Sequence, residues 1–131
     1  MKLDLREKGG ISILVLGGQL TGGGGHEQFQ EAIDTLLAGG RNQILVDFTE
    51  ITFMDSAGMG ELVSGHRTVE RFGGKLKLLN PNERVHNSLT ITKLLPIFEV
   101  FDDEEKALAS WPPNNLSAAP KDKKNKEQRD Q

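Results

Sequence analysis

Asp55 and Ser56 stand where an apolar run meets a helical pattern, a place where a side-chain oxygen can be both presented and controlled. The run Val46-Asp47-Phe48-Thr49-Glu50-Ile51-Thr52-Phe53-Met54 leads into Asp55-Ser56, and Ala57-Gly58-Met59-Gly60 follows. Serine or aspartate at a helix start accepts a hydrogen bond from a backbone N–H that has no partner within the helix. On residue type alone, capping is the ordinary role. Asp55 suffices for a cap, which leaves Ser56 available for other chemistry. Ala57, Gly58 and Gly60 remove side-chain bulk around the hydroxyl and let another surface approach closely. A phosphate on Ser56 would add about −1.5 to −2 charges and three acceptor oxygens, facing the positive end of the helix. The helix tolerates that charge. A partner surface lying over the same spot does not, because it must bury a dianion beside Asp55. Such a site switches binding off without unfolding its own domain.

Other chemistries fit less well. Strand, Ser56, x, Gly58 and helix partly mimic the Gly-x-Ser-x-Gly nucleophile elbow of esterases, but Met54 occupies the place of the first glycine. His66 falls two to three turns along the helix that Ser56 begins, too far to take its proton, which leaves His86 as the one histidine for a triad. The Gly22-Gly23-Gly24-Gly25 tract lacks the Gly-Lys-Ser/Thr ending of a phosphate-cradling loop and reads as a flexible loop. His26, His66 and His86 show no paired ligand spacing, and the chain has no cysteine, so thiolate metal sites, disulfides and cysteine nucleophiles are excluded. No cofactor is implied.

The elements that must position Ser56 are legible as alternating patterns. Leu3 and Leu5, then Ile11, Ile13 and Val15, flank Gly9-Gly10 as two strands of a hairpin. The run Ile11 to Leu16 is nearly all apolar and belongs inside the sheet. Phe29, Ala32, Ile33, Leu36 and Leu37 form one helical stripe, stopped by Gly39-Gly40. Ile44-Leu45-Val46 reads as a buried strand and Ile51 to Met54 as its irregular continuation. A second helix runs from about Ala57 to Phe72, with Met59, Leu62, Val63, His66 and Val69 on one face and Gly73-Gly74 at its end. Lys75-Leu76-Lys77-Leu78-Leu79 alternates as a strand does. Asn80-Pro81-Asn82 opens a short helix, Phe98 to Phe101 forms a last strand, and Asp102 with Glu105 resembles a capping box for a closing helix carrying Ala107 and Leu108. The order β-β-α-β-α-β-α-β-α predicts an α/β fold: one mixed sheet of about five strands with four helices packed against it.

Composition divides the chain at about residue 111. Residues 1–111 carry almost all the apolar side chains and form a single domain. Residues 112–131 read as a disordered charged C-terminal tail. Residues 121–131 hold Lys121, Lys123, Lys124, Lys126 and Arg129 against three acids, so a net charge of −3 overall leaves −5 on the other 120 residues. An acidic domain repels a phosphate backbone, which argues against nucleic acid as a partner. The opening Met1 to Lys8 is too charged for a signal peptide and no apolar run reaches membrane-spanning length, so a cytoplasmic location is expected.

The chain resembles a stand-alone STAS domain of the anti-sigma factor antagonist family. The resemblance is carried by Val46-Asp47-Phe48 leading to Phe53-Met54-Asp55-Ser56-Ala57-Gly58-Met59-Gly60, by Gly73-Gly74-Lys75-Leu76, by Asn80-Pro81 and by Phe98-Glu99-Val100-Phe101, in the family's order and spacing across residues 1–111. It implies a regulator that is a binder and a substrate, not an enzyme. The serine matching Ser56 is phosphorylated by an anti-sigma factor that is itself an ATP-dependent serine kinase. The unphosphorylated form binds that kinase and frees the sigma factor, and a serine phosphatase resets the cycle. ATP belongs to the kinase. The partner-binding residues implied are Thr21, Gly22, Gly23, Asp55, Ser56, Ala57, Gly58, Met59 and Glu61.

Two departures stand out. The family's Gly-x-Leu-Asp pattern is here Gly18-Gln19-Leu20-Thr21, a hydroxyl in place of a carboxylate, and glycines fill Gly22 to Gly25 where polar residues are usual. They leave a second reading open, a non-switching STAS adaptor or scaffold subunit of a signalling or lipid-transport complex. A Ser56-dependent esterase is the more remote one.

Overall fold

The computed structural model describes residues 1–23, 25–81, 85–86 and 97–112. Strand β1 (Lys2–Lys8) turns at Gly9-Gly10 and pairs antiparallel with β2 (Ile11–Leu20), with Leu3 opposite Leu16 and Leu5 opposite Leu14. Helix α1 (His26–Ala38) returns the chain to β3 (Gln43–Met54), which lies parallel to β2. Helix α2 (Ser56–Arg71) leads to β4 (Lys75–Leu79), and β5 (Val100–Phe101) pairs parallel with β4 before helix α3 (Glu104–Ala109). The strand order is β1-β2-β3-β4-β5, a mixed five-stranded sheet with β2 interior, as its apolar run predicts.

Alternation along the strands sorts the core into two layers. Leu14, Leu16, Ile44, Val46, Phe48, Leu76 and Leu78 pack with Phe29, Ile33, Leu36 and Leu37 of α1 and Met59, Leu62 and Val69 of α2. Ile11, Ile13, Leu45 and Leu79 pack instead with Ala107 and Trp111. Because α3 and Trp111 cover this second face, Lys77 is buried in the strand rather than exposed. Its ammonium lies 2.8 Å from Ser110 Oγ, 3.3 Å from Glu99 Oε1 and 4.4 Å from the centre of the Trp111 ring. Buried cations persist only with partners of this kind.

Several boundaries differ from the sequence reading, each for a local reason. Strand β2 extends past Leu16 to Leu20, because it stays paired with β3 through register shifts after Val15 and after Gly18. The closing helix is capped by Asp103, not Asp102: Asp103 accepts from Glu105 N–H at 2.8 Å, and the helix starts at Glu104. Among the described residues there are three helices. The fourth, expected to open at Asn80-Pro81-Asn82, falls mostly outside them, although Val85 and His86 are helical. The tail lies outside them from Pro113 onward.

Candidate functional site: the junction of β3 and α2

Ser56 is the first residue of α2, and Asp55 before it is extended (φ −92°, ψ −178°). This geometry follows from β3 ending at Met54, whose side chain is buried, while the next residue must turn into a helix. The Asp55 carboxylate accepts from Gly58 N–H at 2.8 Å, which makes it the cap of α2. The Asp55 N–H donates to Leu20 O at 3.3 Å, and its carbonyl takes the first helical bond, from Met59 N–H at 2.9 Å. The Asp55 backbone is therefore tied through both its N–H and its carbonyl, immediately before Ser56. Ser56 is exposed and its hydroxyl makes no hydrogen bond among the described residues.

The Asp55 carboxylate reaches further than its own helix. The Gly22 N–H donates to both of its oxygens, each at 3.2 Å, which fastens the loop after β2 to the start of α2. Thr52 Oγ1 adds a bond to Gly18 O at 3.0 Å. Four of the anticipated residues thus share one exposed patch: Gly22, Gly23, Ser56 and Ala57. Thr21 is half-buried and bridges to Gly25. Asp55 is half-buried beneath the patch, as the geometry above requires.

Gly58 and Met59 face inward. A Cβ at Gly58 would stand 2.0 Å from Leu20 O, so the glycine lets α2 seat on the end of β2. Met59 is 6% exposed and belongs to the core. Gly60, by contrast, is exposed, and a Cβ there would meet nothing within 4 Å. Packing does not require a glycine there. Glu61 is half-buried beside α1, where it lines an open groove of about 420 Å³ with His26, Glu27, Gln30, Glu31 and Asp34.

Sequence reasoning missed Phe53. Its side chain is 36% exposed at the end of β3, three residues before Ser56, where an aromatic ring can anchor a docked surface. The signal was present, a large apolar residue beside a turn, but strand periodicity breaks down there and the side it faces is not readable.

The two histidines weighed for a triad with Ser56 have other surroundings in the described structure. His66 is held against the Phe98 ring, 5.1 Å between centres at 75°, and its Nε2 lies 3.7 Å from Glu70. Burial lowers its pKa, partly opposed by Glu70. His86 is exposed and lines a separate pocket of about 440 Å³ with Asn80, Pro81, Val100, Phe101 and Asp102. Among the described residues no group of three or more His, Cys, Asp or Glu side chains is placed to hold a metal ion.

A mixed sheet opened by a hairpin, with an exposed serine at the start of the helix after the third strand, defines the class: the chain belongs to the STAS domain family, which matches residues 2–107. Within it, the chain is similar to an anti-sigma factor antagonist homologue of Thermotoga neapolitana, 36% identical over 75 residues, 57% of this chain and 66% of that one, just under two thirds of its length. It is 26% identical over 111 residues to the anti-sigma F factor antagonist of Paenibacillus polymyxa, covering 82% of this chain and 92% of the relative. Among solved structures it resembles the Bacillus cell fate determinant SpoIIAA in its phosphorylated form, with a TM-score of 0.66, 26% identity, and 83% and 98% of the two chains covered. No described helix is long and apolar enough to cross a membrane.

Proposed function

We propose that this chain is a cytoplasmic anti-sigma factor antagonist that works by partner switching at Ser56. The observation that carries the reading is the Ser56 hydroxyl, exposed and without a hydrogen-bond partner among the described residues, on a backbone tied at both sides. Unphosphorylated, the patch of Gly22, Gly23, Ser56 and Ala57 docks an anti-sigma factor that is also a serine kinase. Ser56 Oγ attacks the γ-phosphorus of the kinase's ATP. The Oγ–P bond forms, the bond to the β-phosphate oxygen breaks, ADP leaves, and the hydroxyl proton passes to a base of the kinase. A serine phosphatase then hydrolyses the phosphoserine with water.

The phosphate acts through charge. At the first residue of α2 it faces unpaired N–H groups and the positive end of the helix, an arrangement worth about 0.3–1 kcal/mol to the host. Against a docked partner the same dianion sits beside Asp55 in a drying interface, where an uncompensated charge costs several kcal/mol. The domain keeps its fold and loses its partner.

The test compares wild type, Ser56→Ala and Ser56→Asp. Alanine retains an ATP-dependent serine kinase through purification, and aspartate loses it, with matching circular dichroism in all three. Equal retention by the aspartate protein overturns switching and favours a constitutive STAS adaptor.

A further inference from the structure

We propose that Gly22 is a positioning residue, and that the loop after β2, clamped by Asp55, forms the second half of the docking surface that presents Ser56 to its kinase. This rests on the partner-switching reading and adds to it how the surface is assembled. Gly22 and Asp55 are 33 residues apart, yet one carboxylate holds the Gly22 N–H with both oxygens and the Gly58 N–H with one. Loop and helix therefore present a single surface.

The absent side chain of Gly22 is what allows the fit. A Cβ there would lie 2.8 Å from the Ala57 Cβ, the next residue after Ser56, and beyond its chain neighbours no other atom of the described residues comes within 4 Å. Gly22 does not have a positive φ, so alanine is opposed by that one contact and not by backbone strain. Relief of the contact would move Gly22 off α2 and tilt its half of the patch, because Gly22 and Gly23 are exposed whereas Leu20 at the end of β2 and Phe29 in α1 are packed in the core. Repulsion between two named carbons has a specific remedy. Removing the Ala57 Cβ restores the space.

The experiment measures steady-state phosphorylation of Ser56 by the serine kinase that Ser56→Ala retains. Gly22→Ala raises KM about tenfold with kcat within about twofold, the mark of lost docking. Whatever KM Ala57→Gly gives alone, adding Gly22→Ala in that background raises it by no more than about threefold, a coupling expected only of residues in contact. A tenfold rise in both backgrounds, or a Gly22→Ala protein equal to wild type, overturns the proposal.

A second measurement needs no kinase. In Asp55→Asn the amide oxygen keeps the Gly58 bond, while the amide nitrogen in the other position sets a donor against the Gly22 N–H, which is left only its longer share of the oxygen that Gly58 uses. The Gly22 amide then exchanges with solvent about tenfold faster while Gly58 keeps its protection. Unchanged exchange at Gly22 refutes the clamp. If no serine kinase acts on the wild-type protein, partner switching fails and takes the docking role with it, whereas the exchange data still decide whether Asp55 holds the loop.

Discussion

Helices α2 and α3 lie on opposite faces of the sheet, and each begins on an aspartate. Asp103 acts locally: it accepts from Glu105 N–H at 2.8 Å and Lys106 N–H at 3.5 Å, both within its own first turn. Asp55 caps α2 in the same way and in addition takes the N–H of Gly22 from a loop 33 residues earlier. One cap closes a helix; the other closes a helix and joins two segments into a surface. The residue type is the same, and the difference comes from what the sheet brings alongside. Strand β2 runs parallel to β3, so the loop leaving β2 emerges next to the helix leaving β3, whereas α3 follows β5 at the end of the sheet order.

The largest effect tests how closely α2 is seated. Gly58→Ala drives a Cβ into the backbone of Leu20, a collision that no side-chain rotation relieves. It should destabilise the domain by about 3 kcal/mol, the upper range for overpacking a rigid site. Gly60→Ala, two residues on and facing open space, should be neutral or stabilise by up to about 1 kcal/mol through helix propensity. Urea unfolding of the two variants checks both. Similar costs would mean that α2 is not locked against β2, and the contrast between the two helix starts would lose its basis.

The next effect addresses the caps directly. Asp103→Ala removes a local cap and should cost about 1 kcal/mol. Asp55→Ala removes a cap together with the tie to Gly22 and should cost about 2 kcal/mol. Equal losses in thermal or urea unfolding would show that the Gly22 bond contributes nothing to the folded state.

This contrast also marks how far the sequence could be read. The hairpin, α1, β3 and α2 were legible because their signals are local: alternation, a helical stripe, paired glycines. The helix start at Ser56 followed from Asp55 and the apolar run before it. The sequence pattern sets the α3 cap one residue early because Asp102 and Asp103 are adjacent and chemically alike, and the choice depends on where β5 ends. Burial of Lys77 was not readable, since it depends on Trp111 and Ser110 arriving from 34 and 33 residues away. The Gly22–Asp55 tie was hidden for the same reason. Sequence pointed to both residues, but only the parallel register of β2 and β3 makes them neighbours. The inward aspect of Met59 was implicit in the helical stripe that already included it.

A pH series separates the two helices further. Burial lowers the pKa of His66 in α2, against the opposing pull of Glu70 and with Lys75 and Arg67 adding to the lowering. Its folded pKa is thus below the ordinary value of 6.5, and the unfolded chain binds the proton more readily. The stabilising term is complete above that value and declines as pH falls through it towards the folded pKa. Acidification from pH 7.5 to 5.5 should lower the melting temperature, and His66→Phe should weaken that dependence. A variant with the same slope as wild type would assign the dependence elsewhere.

The smallest effect lies at α3, where Glu104 meets Arg6 of β1 at 2.5 Å. The Arg6 hydrogen bond is the main cause that lowers the Glu104 pKa, with burial acting against it. The sign is therefore that of a depressed carboxylate: the contribution is present above the ordinary pKa of 4.5 and disappears as pH falls through the lower folded value. The two side chains are 46% and 28% exposed, so solvent and salt screen the pair and its coupling energy should be about 0.5 kcal/mol. A double-mutant cycle of Arg6→Ala and Glu104→Ala at pH 7 measures it, and added salt should reduce it further. A coupling as large as the Asp55 effect would mean that α3 is joined to β1 as firmly as α2 is joined to the loop after β2. The difference in reach between the two helix starts would then not extend to the strength with which each is held.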